Sequence, residues 1–474
     1  MTPIFAIPWL ELAIVLPLIG SLILGRMRDP HRIWQLGLAI LSATLCGTLL
    51  EIAAYAGASA RVERIWNPQE VLFGTVIFRL DGLNSPLLPT VSLLYLLTLL
   101  ATSGTKLARF SAPWSLLTLG LQLATLSCFD SWTLVVLLIL ASVRSFAELM
   151  SRGKSTRVFV VHMGVFAVLL LGGWYFVDRA KASNQLDDYA WAIVVVHLAI
   201  LIRSGIFPLH CWLADLFENA SFGNALLAIA PLTSCYALIR LVLPIAPEWL
   251  LEYSSVACLL TALYAAGMAT VQKDVRRFFA FVFLSHASVV MVGIQLSTSS
   301  SLTGALQLWL SFVLSLGGFG LTLRALEARV GRLTLTRFHG LYSHSPALAI
   351  CFLLTGLASV GFPGTAGFVA ELIVDGALET NTWIGVGMVG AATLNEIALL
   401  RAYFLLFTGT RHAATIPLGI TVPERVAVLT LWTLLIGAGL FPQPFVASRY
   451  RAAESLLQQR QALFPANDGT PVPH

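Results

Sequence analysis

The stretch Ser204-Gly205-Ile206-Phe207-Pro208-Leu209-His210 interrupts one long apolar run, and Gly361-Phe362-Pro363-Gly364-Thr365-Ala366-Gly367 interrupts another. Proline removes a backbone donor and clashes with the preceding turn, whereas glycine permits unwound geometry. Each run is therefore expected to fold as two half-helices. Freed backbone groups at membrane depth persist only where they are buried in protein or line a wet cavity, so two broken spans point to a site at each break. The bland alternative is that each proline only kinks a packed helix.

Outward from the breaks, apolar stretches of about 18 to 25 residues recur from end to end, each long enough to cross a hydrocarbon core of about 30 Å. We read them at roughly 8–25, 33–57, 84–105, 112–129, 131–149, 157–177, 190–220, 222–244, 250–271, 278–297, 301–326, 345–375, 382–408 and 423–443. The 474-residue chain is 57% hydrophobic and 11% charged, with a mean hydropathy of +0.82. That leaves too little polar surface to cover a soluble globule of this size. The expected fold is all-α: a polytopic membrane protein of about 14 transmembrane helices, two of them broken. The breaks lie five spans apart, so spans 4–8 and 9–13 read as repeat units. The corresponding regions are 1–111 (first three helices), 112–244 and 250–408 (two five-helix repeats) and 409–474 (last helix and tail). No long lateral helix is expected after the last span. The first span lacks a basic n-region and a small-residue cleavage site, so it reads as a retained helix.

Basic residues gather in loops of one parity: Arg26, Arg28 and Arg32; Lys106 and Arg109; Arg152, Lys154 and Arg157; Lys273, Arg276 and Arg277; Arg324, Arg329, Arg332 and Arg337. The positive-inside rule puts that face in the cytoplasm and both termini on the other side. These loops account for the basic pI, so no nucleic-acid partner is expected. The six cysteines (Cys46, Cys128, Cys211, Cys235, Cys258 and Cys351) stand singly, without the pair spacing of zinc or iron–sulfur sites, and read as packing residues. No phosphate loop, serine elbow or His-Glu zinc motif is present. A self-contained hydrolase, nucleotide-binding enzyme or redox enzyme, with its cofactor or metal, is not expected.

A charge at membrane depth costs at least a few kcal/mol, so each one is a functional candidate. The spans hold Glu11, Arg144, Glu148, His162, His197, Arg203, His210, Asp215, Arg240, His286, Glu371, Asp375, Glu396 and Arg401. Arg203 and His210 flank the first break, with Asp215 and Glu218 after it; Glu371 and Asp375 follow the second. These groups read as a protonation or ion path, with His286 as a relay. The structural alternative is that Arg203 pairs with a carboxylate to pin the break and His286 is a hydrogen-bonded core residue. Glu11, Arg144, Glu148, Arg240 and Arg401 lie near span ends and read as snorkelling or paired. The four lysines, Lys106, Lys154, Lys181 and Lys273, all fall in loops. This matters because a buried lysine can trade protons, whereas arginine stays charged.

At these residues the chain resembles the antiporter-like proton-translocating subunits of respiratory complex I, the M-type most of all. The resemblance rests on Arg203 to Asp215 (RSGIFPLHCWLAD), Tyr236 to Pro244 (YALIRLVLP), Gln272 to Ser288 (QKDVRRFFAFVFLSHAS), Leu357 to Glu371 (LASVGFPGTAGFVAE) and Leu440-Phe441-Pro442-Gln443-Pro444. It implies that the two five-helix units are inverted repeats, each a half-channel for protons, joined by a polar axis at mid-membrane. It implies proton-path roles for Glu371, after the second break, and for His286. Elsewhere the chain departs. The family's fifth-span glutamate falls on Ile139, its seventh-span lysine on Arg203, its eighth-span lysine on Leu232 and its eleventh-span histidine on Phe312.

Protons in the first repeat must therefore enter through other groups, such as His162, His197 or His210, or the subunit has become a scaffold. The resemblance implies an inner-membrane subunit of a multisubunit assembly, with other membrane subunits and a soluble or peripheral redox arm as partners, working in proton translocation coupled to a partner's redox chemistry. Two alternatives stay open: a membrane subunit of an inorganic-carbon uptake complex, and a non-conducting scaffold.

Overall fold

The computed structural model describes residues 7–57, 68–102, 110–183, 189–409 and 419–463. Among them no β-strand forms; only two isolated bridges occur, Phe78 with Cys128 and Asp274 with Thr334. Every expected span coincides with a helix or a set of helices. The first six are α1 (Trp9–Gly25), α2 (Pro30–Gly57), a short α3 (Pro68–Phe73) before the third span, α4 (Leu87–Leu100), α5 (Ala112–Ser127), α6 (Ser131–Ser151) and α7 (Arg157–Ser183). The seventh span is divided as expected into α8 (Ala190–Ser204) and α9 (Cys211–Asn219), and the twelfth into α15 (Pro346–Ser359) and α16 (Ala370–Thr380). Between these pairs lie α12 (Glu248–Val271), α13 (Val275–Gln295) and α14 (Ser299–Val330), and after them α17 (Thr382–Phe407) and α18 (Val422–Leu440). The protein is thus an all-α polytopic membrane protein; nine helices among the described residues have the length and apolarity to cross a bilayer.

The eighth span was expected to be continuous and is not. It consists of α10 (Phe222–Ile229), α11 (Thr233–Ala237) and a π-helical turn at Leu238–Val242. Pro231 lacks the N–H that would continue α10, and Leu232 takes a left-handed conformation, φ +49°. The carbonyls this frees find side-chain donors. Tyr95 Oη and Gln122 Nε2 donate to the Leu227 carbonyl at 3.1 and 2.9 Å, and Trp309 Nε1 donates to the Pro231 carbonyl at 3.0 Å. A broken backbone at this depth is tolerated because those donors replace the missing turn.

A further helix, α19 (Pro442–Leu463), follows the last span. It was not read from the sequence, because its polar composition carries no membrane signal. Two arginines fasten it: Arg449 Nη1 donates to the Leu83 carbonyl at 3.1 Å and Arg460 Nη1 to the Leu243 carbonyl at 2.6 Å.

Helices α13 and α14 form the centre: 94% of the most apolar window of each is buried, against 33% for α2, α7 and α18. Ring contacts run through that centre from Phe217 on α9 to Phe279, Phe319, Phe352 and Phe407, with centroids 4.7–5.8 Å apart. Edge and tilted pairs of this kind add about 0.5–1.5 kcal/mol each beyond burial.

Three of the basic residues expected on one face lie close together, joined by shared or neighbouring carboxylates. Arg276 forks onto Glu327 at 2.6 and 2.7 Å, Arg277 pairs with Glu218 at 2.9 Å, and Arg332 bridges Asp274 and Glu218 at 3.0 and 3.5 Å. Lys106 and Arg109 lie outside the described residues. Several positions expected in loops are helical: Arg32 in α2, Arg157 and Lys181 in α7, Arg276 and Arg277 in α13, and Arg324 and Arg329 in α14. Asp274 also caps α13, accepting from the backbone N–H of Arg276 at 2.9 Å and of Arg277 at 3.2 Å. Asp274→Ala is expected to cost about 1 kcal/mol, read as a lower unfolding midpoint in detergent.

Candidate functional site

Each broken span borders a cavity. At the first break, Gly205 ends α8 in the left-handed region, φ +77°. There Trp212 Nε1 donates to the Ile202 carbonyl at 3.0 Å, and the Phe207 N–H donates to Thr261 Oγ1 at 3.1 Å. The last turn of α8 carries Arg203 into a cavity of about 40 Å³ bounded by α6, α7, α9, α11 and α13. The expected carboxylate is not what it meets. Its Nη1 donates to Ser142 Oγ at 2.9 Å and its Nη2 to Thr233 Oγ1 at 3.2 Å, and its guanidinium stands 5.3 Å from the Phe166 ring centroid. Leu232, on which the resemblance placed the eighth-span lysine, lines the same cavity and offers no proton.

The second cavity is larger, about 240 Å³, and adjoins the second break. Its walls include His286 from α13, Phe312 from α14, Ser359 and Gly361 at the break, and Thr393, Asn395 and Glu396 from α17. His286 Nδ1 lies 2.7 Å from the Val282 carbonyl, and its ring meets Phe312 edge to face at 4.7 Å. A histidine thus stands against the position where the family resemblance expected one. Asn395 Nδ2 donates to Ser285 Oγ at 2.8 Å, while its Oδ1 is buried without a partner. A buried acceptor in a polar-edged cavity of this size is a seat for water.

Helix α13 contributes to both cavities. Phe283 on α13 faces the first and His286 the second, three residues or about 4.5 Å apart along the axis. On α16, Glu371 and Asp375 lie four residues apart on one face and are exposed; Glu396 is exposed at the mouth of the second cavity.

The remaining candidates lie apart from these walls. His210 sits at the first break with Nε2 3.3 Å from the Tyr264 hydroxyl, stacked on Phe207. Asp215, one turn into α9, accepts from Asn219 at 2.8 Å. His197 is buried in α8 and lines neither cavity. His162 is half-buried on α7, bonded to the Val158 carbonyl. The residues expected to snorkel or pair do pair: Arg240 with Asp81 at 2.5 Å, Glu11 with Gln69 at 2.7 Å, and Arg401 with backbone carbonyls.

The sequence placed the fifth-span glutamate position on Ile139, but α6 holds a buried carboxylate nine residues further on. Glu148 pairs with Arg144 at 2.7 Å and Arg152 at 2.8 Å, and accepts from the Ser221 N–H at 3.0 Å and Asn224 Nδ2 at 2.6 Å. The spacing of Arg144, Glu148 and Arg152, four residues apart on one helix face, was the signal available for it.

Comparison with known proteins agrees with this architecture. Residues 157–395 match the family model described as NADH:quinone oxidoreductase/Mrp antiporter, transmembrane. NADH-quinone oxidoreductase subunit M of Pseudomonas aeruginosa is 29% identical over 323 residues, 62% of this chain and 63% of that protein. The chain thus spans less than two thirds of that relative's length. The fold is similar to a chain of respiratory complex I from Thermus thermophilus (TM-score 0.79, 23% identity, 95% of this chain and 99% of that one). It is similar also to a chain of the Mrp complex from Dietzia sp. DQ12-45-1b (TM-score 0.82, 20% identity, 98% and 99%). With half of its length matched by the family model, and with broken helices opening on internal cavities, the chain belongs to the NADH:quinone oxidoreductase/Mrp antiporter transmembrane family.

Proposed function

We propose that this chain is a membrane subunit of a complex-I-like assembly in a bacterial inner membrane, and that it takes part in proton translocation coupled to a partner's redox chemistry. The observation that carries this reading is the second cavity, which holds His286 and the unpaired Asn395 Oδ1 behind Glu396 at its mouth. Histidine and carboxylates can take and release protons, and waters held at Asn395 would join them. Glu371 and Asp375 stand on the exposed face beside that mouth. Carboxylates left against lipid would be costly, so a neighbouring membrane subunit covers this face. A redox arm, bound elsewhere, supplies the driving chemistry.

The two five-helix units, 112–244 and 250–408, act as inverted repeats with unequal roles, and both termini lie on the non-cytoplasmic side. The second repeat relays protons through Glu371, Asp375, Glu396 and His286. The first holds Arg203, which cannot release its proton and sets a fixed positive charge, with His210, Asp215 and His197 as its titratable groups. Proteoliposomes carrying the whole assembly test this. Glu371→Gln is expected to lower partner-driven proton flux towards the leak of empty vesicles while the assembly keeps its size. Unchanged flux would make the chain a scaffold.

A further inference from the structure

The surroundings of Arg203 are those of an anion site. The guanidinium is permanently charged and has five N–H donors; only two hydrogen bonds are made, to Ser142 and Thr233. None of the residues lining its cavity is acidic. Two further hydroxyls, Ser145 and Ser234, line the cavity and are 8% and 7% exposed. The carboxylate of the neighbouring cavity adds no compensation. Ser145 also lines the small neighbouring cavity that contains Arg144 and Glu148, where Glu148 is already shared between Arg144 and Arg152. Two arginines against one glutamate leave that group positive as well. An uncompensated guanidinium inside a bilayer span is costly, and hydroxyl dipoles alone offset it poorly.

We propose that the Arg203 cavity binds a small monovalent anion of halide size, chloride in the cell, held by the free N–H groups of Arg203 and the hydroxyls of Ser145 and Ser234. About 40 Å³ is available; a single water needs about 10–15 Å³, so a halide fits with room for a water or two beside it. Trp212, Phe159 and Phe283 form apolar walls. The inference goes beyond the proton-transfer reading and does not depend on it.

The test uses the purified assembly in detergent, with gluconate, chloride or bromide at equal ionic strength. Wild-type protein is expected to show a saturable rise in unfolding temperature with chloride and bromide. The Ser145→Ala/Ser234→Ala double variant, which leaves Arg203 and its two bonds in place, is expected to lose it. Anomalous scattering from a bromide-grown crystal of the wild type is expected to give a peak beside the Arg203 guanidinium, and this readout stands even if the double variant does not fold. The same unfolding temperature in all three salts, a halide response that survives in the double variant, or no bromide peak in the cavity would each overturn the proposal and leave the cavity to water.

Discussion

Glu148→Ala is expected to destabilise the protein by about 3–5 kcal/mol, the usual cost of removing one partner from a buried ion pair. Arg144 is 8% exposed and Glu148 7%, so the guanidinium left behind has no route to water. The Ser221 N–H and Asn224 amide lose their acceptor at the same time. Those two residues start α10, so the loss detaches the eighth span from α6. Glu148→Gln keeps an acceptor for both and is expected to cost less. Unfolding midpoints in detergent for the two variants check the ordering; equal midpoints would mean that the acceptor for Ser221 and Asn224 contributes nothing.

Trp309→Ala should be as damaging. The side chain is 0% exposed at the centre of α14, and emptying a buried tryptophan site costs about 3–5 kcal/mol. It also strips the Pro231 carbonyl of its donor at 3.0 Å, adding about 1–3 kcal/mol for a buried unpaired acceptor. Trp309→Phe fills most of the volume and loses only the bond, so the difference between the two variants separates packing from the hydrogen bond. Because Leu232, next to Pro231, lines the Arg203 cavity, both variants are also expected to alter that cavity's shape.

The spans were legible because a membrane helix must be apolar along its length, and two breaks were legible because glycine and proline coincide there. Pro231 was missed because no glycine accompanies it: Leu232 takes the left-handed turn itself, and the donors that permit this come from Tyr95, Gln122 and Trp309, far away in sequence. Helix α19 was missed because it is too polar to read as a span; it is held by two arginine contacts to loops and by a short apolar side, Ala452, Ala453 and Leu456, packed into the core. His286, Asn395 and Glu396 belong to one cavity only once α13 and α17 pack together. Of these, the sequence singled out Glu396 by charge alone and His286 by charge and by the family resemblance. Asn395 carried no such mark, since an asparagine becomes informative only when its acceptor is found buried and unpaired. Arg203 shows the reverse case. Its position was evident, but the choice between a carboxylate and hydroxyl partners needed the fold.

The central claim is that protons use the second cavity and that His286 is the group that passes them. Partner-driven proton flux in proteoliposomes carrying the complete assembly, compared between wild type and His286→Phe, tests it most directly. The account predicts that flux falls to the leak level while assembly and the partner's electron transfer to an external acceptor persist. Wild-type flux from a correctly assembled His286→Phe variant would contradict it.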